Sequence, residues 1–469
     1  MSTLNALLAA INGPLYEVIL IPLLTFTGIY FTIRTRAVQI TMLPESLRIL
    51  TEKSSKGGVS SFQALMISTA SRVGTGNIAG VATALAAGGA GAIFWMWLLA
   101  LLGSASAFIE STLAQIYKQK DGKTFRGGPA YYIEKALGQR WLGILFAVLL
   151  IACFAFGFNA LQSFNVSSAF EYYAGNDAQL KHTISMIVGL VLAVGTAATI
   201  FGGTHRIGLI TSVIVPVMAV LYIGLGLFIT FTNLGQLPEI FRQVFSEAFD
   251  FQAIAGGFSG SCVMQAIKRG LFSNEAGMGS APNAGATADV SHPAKQGMVQ
   301  MISVFIDTLI ICTTTAMMLL VFSPTPNATP ELTGMPLVQQ AINSQVGSFG
   351  IHFITVSILL FAFSSLIGNY CYAESNLKFI KDNKILLNVF RVICVLVIFV
   401  GSTAEFETVW NLADVLMGFM AIVNIISILL LGNIALKALA DYRAQKKQGL
   451  DPAFHPDKLG IKNTDCWED

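Results

Sequence analysis

An all-α polytopic membrane protein is the fold class this sequence predicts. It should have about eleven transmembrane helices, as two five-helix halves of opposite topology behind one extra N-terminal helix. Three observations predict it. Of the 469 residues, 54% are hydrophobic and 12% charged, whereas soluble domains carry about 25% charged residues. The basic residues fall almost entirely on one side of the predicted spans. Two spans in corresponding positions of the halves are interrupted by glycine.

Stretches of about 20 apolar residues mark the spans. They lie near 15–33, 62–87, 91–117, 141–166, 183–202, 207–232, 250–275, 298–322, 348–376, 385–404 and 410–436. Met1–Gly13 lacks a basic region of the signal-peptide kind, so the first span is expected to be retained. With the N-terminus outside, the 28 basic residues divide about 25 inside to 2 outside (Lys181 and Arg242), with Arg72 within the membrane. That bias predicts N-out, C-in, and it puts Lys268 and Arg269 at the inner end of span seven. Residues 1–50 form the extra helix and a loop, 60–233 the first repeat, and 248–437 the inverted second. Residues 438–469 read as a solvated cytosolic tail. The six cysteines show no metal spacing and read as small buried hydrophobes.

Span two contains TASRVGTGNIAG (Thr69–Gly80), with three glycines, two threonines, an arginine and an asparagine mid-membrane. A broken helix survives in hydrocarbon only where it lines a protein-enclosed cavity. One half then ends in free carbonyls, which attract a small cation, and the other begins with free N–H groups, which attract a carboxylate. Gly74 and Gly76 can take positive φ and let a ligand approach. The N–H groups of Thr75 and Gly76, the Thr75 hydroxyl and Asn77 are candidates for holding a carboxylate. The carbonyls of Ala70 and Val73 are candidates for Na⁺. Span seven carries AGGFSGS (Ala255–Ser261), whose Gly256, Gly257, Ser259 and Gly260 are candidate substrate contacts. Paired interrupted helices point to a midplane site for a small zwitterion; the alternative is glycine serving close helix packing.

Span nine places the adjacent hydroxyls Ser364 and Ser365 at mid-depth, suited to the other half of an oxygen cage. Their alternative role is back-bonding to carbonyls one turn earlier. Asn369 follows about a turn later and is a candidate for lining the pocket or its exit. In span four, Asn159 and Gln162 share a helix face, with Gln162 the candidate substrate contact; cross-linking of helices is the alternative. Phe156, Phe158 and Phe164 are candidates for closing the cavity, or plain packing. The intramembrane ionisable residues are Arg72, Glu110, Asp307, Glu374 and Asp414. An Arg72–acid pair that fixes helix packing or gating outranks direct substrate contact.

Two loop motifs remain. GLFSNEAGMGSAP (Gly270–Pro282) is expected at the inner mouth of span seven, where Asn274 and Glu275 would serve as a gate. GGPAYYIE (Gly127–Glu134) is expected to start a short surface helix. No GxxxxGK[ST] nucleotide motif occurs.

At these motifs the chain resembles the alanine or glycine:cation symporter family, also called the sodium:alanine symporters. The resemblance rests on FQALMISTASRVGTGNIAGVA (62–82), GAIFWMW (91–97), GGPAYYIEKALG (127–138), KRGLFSNEAGMGSAPNAGA (268–286), FAFSSLIGNYCYAE (361–374) and VWNLADVLMGFMAI (409–422). It implies the LeuT-like 5+5 inverted repeat and a bacterial or archaeal inner-membrane carrier. That carrier takes up alanine, glycine or D-alanine with Na⁺, in some members with H⁺. The resemblance also places a fold-wide sodium site at Ala70, Val73, Ser364 and Ser365, and the substrate-carboxylate break at Gly74–Asn77.

The expected function is therefore Na⁺-coupled uptake of small neutral amino acids by alternating access. The expected partners are the amino acid and the lipid bilayer, with no nucleic acid and no obligatory protein partner. A proton-coupled carrier, with Asp307, Glu374 or Asp414 titrating, is the alternative. A channel and a membrane-embedded enzyme rank lower, because the five histidines form no catalytic set.

Overall fold

The computed structural model describes residues 3–52, 58–122, 124–202, 204–250, 262–323 and 332–467, with only the backbone for 204–212. In chain order the main helices are α1 (Thr3–Arg34), α2 (Ser61–Arg72), α3 (Gly76–Gly88), α4 (Gly91–Ile116), α5 (Pro129–Leu137) and α6 (Arg140–Ala174). There follow α7 (Ala178–Ile200), α8 (Thr204–Thr232), α9 (Leu237–Ala248), α10 (Cys262–Asn274) and α11 (Pro293–Phe322). The last are α12 (Gly334–Val346), α13 (Ser348–Ile380), α14 (Lys384–Gly401) and α15 (Phe406–Lys447). One small hairpin pairs β1 (Gln119–Asp121) with β2 (Thr124–Arg126).

Nine of these helices, among the described residues, are long and apolar enough to cross a membrane. The predicted second span is not among them because it is two half-helices. A capping box of Ser60 and Gln63 starts α2. The helix stops where Val73 swings to an extended conformation, φ −77° and ψ 91°. A π-helical turn at Gly76–Gly80 then opens α3. Gly74 and Gly76 are not among the residues with positive φ. The expectation of left-handed glycines is corrected: the turn is made at Val73, and the glycines serve by lacking a Cβ.

The helix α10 runs antiparallel to α3, with Gly88 against Cys262 and Gln265, and Gly76 against Phe272 and Ser273. It unwinds beyond Asn274, where Glu275, Gly277 and Gly279 take φ of 55°, 81° and 85°. The described interruption of span seven is thus SNEAGMGS, beside the break in span two rather than at a mouth of the bundle. The AGGFSGS segment, with Gly256, Gly257, Ser259 and Gly260, lies outside the described residues. Lys268 and Arg269 are corrected with it. They sit inside α10, buried, between the Gly88 level and the break. A basic pair reads as a loop signal only until its partner, Asp414, is known.

At 42 residues, α15 is about 63 Å long, roughly twice the hydrocarbon thickness, and its last turns still pack inward, with Leu439 and Tyr442 buried. The chain then folds back, and the face it covers is termed the tail face. Phe454 and Ile461 are buried there. The expected solvated tail is therefore a packed one, held by apolar side chains spaced too widely to signal a helix or strand. The expected surface helix α5 is likewise packed inward, with Tyr131 and Tyr132 buried. Gly128, at φ 136°, lies where a Cβ would press on Asn283.

Candidate functional site

The break between α2 and α3 gathers polar groups from four other segments. With Val73 extended, the Gly74 N–H no longer points along the helix toward the Ala70 carbonyl. It donates instead to Asn77 Oδ1 at 3.0 Å. The Thr75 N–H donates to Gln162 Oε1 of α6 at 3.0 Å, and Asn165 Nδ2 donates to the Thr75 hydroxyl at 3.3 Å. Every one of these groups is buried. In hydrocarbon a freed backbone N–H left unpaired costs several kcal/mol, roughly, so side-chain amides occupy the broken turn.

A Cβ on Gly74 would collide with Ser365 Oγ and lie 2.8 Å from Gln162 Nε2, and one on Gly76 would lie 2.9 Å from the Phe272 ring. The break therefore has walls on two sides. Ser365 Oγ reaches the Val73 carbonyl at 3.3 Å. Ser364 and Ser365 also donate to the Phe361 carbonyl, at 2.8 and 3.0 Å. Both serines back-bond one turn earlier, and Ser365 alone also meets the carbonyl end of α2. The Val73 carbonyl and the Ser365 hydroxyl thus stand together at the carbonyl end of α2.

Asn77 links the break to the rest of the site. Its Nδ2 donates to Asp307 Oδ1 at 2.6 Å and to Ser273 Oγ at 2.8 Å. Ser273 and Thr308 donate to the other Asp307 oxygen, at 2.7 and 3.0 Å. Asp307 lies in a π-helical turn of α11, Phe305–Cys312, and a third such turn, Ala152–Phe158, precedes Asn159 in α6. Such turns re-aim side chains within a helix and recur at functional sites.

Toward the tail face, Ser71 Oγ contacts Glu275 Oε1 at 2.9 Å and Asn369 Oδ1 at 2.8 Å. Asn369 in turn donates to Asn159 at 3.1 Å. Asn274 donates to Thr308 at 3.1 Å. Asn274 and Glu275 thus stand beside the break, not at the mouth expected of them. Glu110 accepts from the N–H groups of Gly277 and Gly279, at 3.2 and 3.1 Å, and so holds the unwound segment. Arg72 reaches the Gln300 carbonyl at 3.4 Å and lies within electrostatic reach of Glu110, Glu275 and Asp307. Among the described residues, none of those three carboxylates has an ion-pair partner within 4.0 Å.

On the opposite side, Phe272 packs edge-on against Phe158 (centroids 4.7 Å) and Trp410 (5.5 Å). Arg269 lies 4.1 Å over the Trp410 ring and pairs with Asp414 at 2.6 Å. Phe158 and, through Phe406, Phe164 belong to this aromatic layer. Phe156 is exposed and does not. Sequence reasoning missed Phe272, Ser273, Ser71 and Asn165. The signal for the first two was the adjacency of LFSNE to two glycines; the others carried none.

A family model described as the sodium:alanine symporter family matches residues 1–456. The chain is 50% identical over 460 residues to the probable sodium/glutamine symporter GlnT of Bacillus subtilis, covering 97% of this chain and 94% of that one. It is 49% identical over 444 residues to the amino-acid carrier protein AlsT of the same organism, covering 94% and 93%. It is 39% identical over 451 residues to the sodium/alanine symporter AgcS of Methanococcus maripaludis, covering 94% and 98%. Among solved structures, MhsT in complex with L-phenylalanine matches with a TM-score of 0.54 at 15% identity, over 83% of this chain and 99% of that one. A manganese transporter of Eremococcus coleocola matches with 0.52 at 12% identity, over 86% and 83%. At such identities the likeness concerns the fold, which is that of the LeuT-type transporters.

Proposed function

The chain belongs to the sodium:alanine symporter family, and from that premise we propose that it takes up alanine, glycine or D-alanine with Na⁺ by alternating access. The observation that carries this reading is the pairing of the Thr75 N–H with the amide oxygen of Gln162 at 3.0 Å. A neutral oxygen holds a donor at the start of a half-helix, where the dipole favours an anion. A substrate carboxylate makes a stronger, charge-assisted bond there and displaces the amide.

Na⁺ binds alongside, at the carbonyls of Ala70 and Val73 and the hydroxyls of Ser364 and Ser365. Gathering those oxygens stabilises the extended Val73, which is what exposes the Gly74 and Thr75 N–H groups. Cation and carboxylate then each favour the same broken geometry, the linkage needed for symport. Gly74, Gly76 and Phe272 crowd the break, which favours a side chain no larger than a methyl. Gly256, Gly257, Ser259 and Gly260 stay candidate substrate contacts from sequence, Asn369 lines the pocket, and Asn274 and Glu275 bound it beside the break on the tail-face side. The tail face is cytosolic in this reading, with the N-terminus outside a bacterial inner membrane.

The test is uptake of radiolabelled L-alanine into proteoliposomes under an inward Na⁺ gradient, with choline replacing Na⁺ in parallel. Glycine, D-alanine and L-glutamine serve as unlabelled competitors. Na⁺-dependent uptake inhibited by glycine and D-alanine but not L-glutamine is expected. Equal uptake in choline that rises with an inward proton gradient would transfer the coupling to protons. Inhibition by L-glutamine matching that by alanine would overturn the small-pocket assignment.

A further inference from the structure

Beyond Lys447 the chain makes a continuous series of contacts across the tail face. Near its root, Gln445 clasps Ala453 by two hydrogen bonds, at 2.8 and 2.9 Å. Ser291, just before α11, binds Pro452 and Phe454 at 2.8 and 3.0 Å, and Lys295 of α11 pairs with Asp451 at 3.0 Å. Leu450 and Asp451 wall a cleft of about 510 Å³ that also touches Ser61, the first residue of α2. The far end crosses to other elements. Asn463 donates to the Lys135 carbonyl of α5 at 3.0 Å, and Asp465 pairs with the Lys135 ammonium. The Trp467 indole N–H donates to the carbonyls of Gln115 and Ile116 at 3.1 Å. Its ring packs on Phe454 and lies 4.8 Å from Lys118 Nζ.

Two features separate the ends. The root is tied to α15, from which it has no length to depart. At the far end the partly exposed carboxylate of Asp465 meets a lysine, and Trp467 meets the last carbonyls of a helix, all groups that water satisfies on release. That end bridges α4 and α5, whereas the root holds the start of α11. We propose that residues 450–467 form a strap that keeps the tail face closed, and that its Asn463–Trp467 end must leave α5 and the end of α4 for that face to open.

The role assigned to the strap rests on the alternating-access reading, so its test must fail separately from that reading. In a Cys466→Ser background, Lys135→Cys and Asp465→Cys are joined by a short reducible thiol cross-linker. The unlinked double variant is assayed first, under whichever ion gradient drives alanine uptake. No uptake in any gradient by wild-type protein would count against the transport reading itself. The strap predicts that linking lowers uptake at least tenfold and that reductant restores it. Uptake at the unlinked rate with complete cross-linking would overturn it. Should that variant fail to fold, Gln119→Cys with Asp465→Cys locks the same end, because Gln119 Nε2 lies 3.3 Å from Asp465.

Discussion

Gln162 Oε1 accepts the Thr75 N–H at 3.0 Å, so an amide from the fourth predicted span completes the broken helix of the second. Gln162→Glu converts that amide into a carboxylate placed where the substrate's own is proposed to bind. A charge-assisted bond exceeds a neutral one by about 1–2 kcal/mol, which is roughly tenfold or more in competition. Uptake by this variant should require at least tenfold more alanine for half saturation. An unchanged half-saturation would show that Thr75 does not hold the carboxylate.

The 3.3 Å approach of Ser365 Oγ to the Val73 carbonyl puts this hydroxyl at the proposed cation site. Ser365→Ala removes one oxygen from the set without adding bulk. The half-saturating Na⁺ concentration should rise about tenfold, equivalent to about 1.4 kcal/mol, with expression unaltered. A change in alanine affinity at saturating Na⁺, with no change in Na⁺ dependence, would place the serine at the substrate instead.

Gly74→Ala should abolish uptake while leaving a folded protein. Its Cβ would press on Ser365 Oγ and on Gln162, and overpacking of this kind costs about 1–3 kcal/mol, too little to unfold a bundle of this size. Size-exclusion profile and melting temperature check the fold. Wild-type uptake by the variant would mean that the break is wider than these contacts imply.

The Arg269–Asp414 pair is buried, with side chains 5% and 3% exposed. Removing one member of such a pair costs about 3–5 kcal/mol, whereas replacing both with apolar residues is often neutral. Asp414 also faces buried Lys268 at 4.0 Å, so Arg269→Met should lower the melting temperature markedly, and replacing all three charges (Arg269→Met, Lys268→Met, Asp414→Leu) should recover most of it. A triple variant no better than the single would mean that Arg269 acts through Trp410 alone.

His292 offers a pH readout at the root of the strap. Its Nδ1 accepts the Ala294 N–H at 3.1 Å, so the proton sits on Nε2, which donates to Asp441 at 3.2 Å. Burial pushes this histidine down to about 4, against the pull of Asp441 and with Lys295 adding to the push. A depressed basic group means the unfolded chain binds the extra proton, so stability is full above about pH 6.5 and declines as pH falls toward 4. His292→Asn should flatten that part of the pH–melting profile. A profile identical to wild type between pH 4 and 6.5 would remove His292 as its origin.

Much of the fold is legible in the sequence because hydrocarbon permits few solutions. Apolar length marks α4, α6, α7, α11, α13 and α14, and the polar run at Thr69–Gly80 marks a break no lipid-exposed helix survives. Legibility ends where a polar residue has two readings. Lys268 and Arg269 look like a loop because the pairing with Asp414 joins positions 145 residues apart. SNEAGMGS looks like a mouth because that basic pair precedes it. The tail is illegible for a different reason: Phe454, Ile461 and Trp467 have no period, and only the surface they meet explains them.

The most direct measurement of the central claim, that one broken helix binds cation and amino acid together, is equilibrium binding in detergent. L-Alanine affinity is measured with and without Na⁺, and Na⁺ affinity with and without L-alanine. The account predicts that each ligand strengthens the other by the same factor, as linkage requires, and that Ser365→Ala shrinks that factor. Alanine binding of equal strength in Na⁺ and in choline would contradict it.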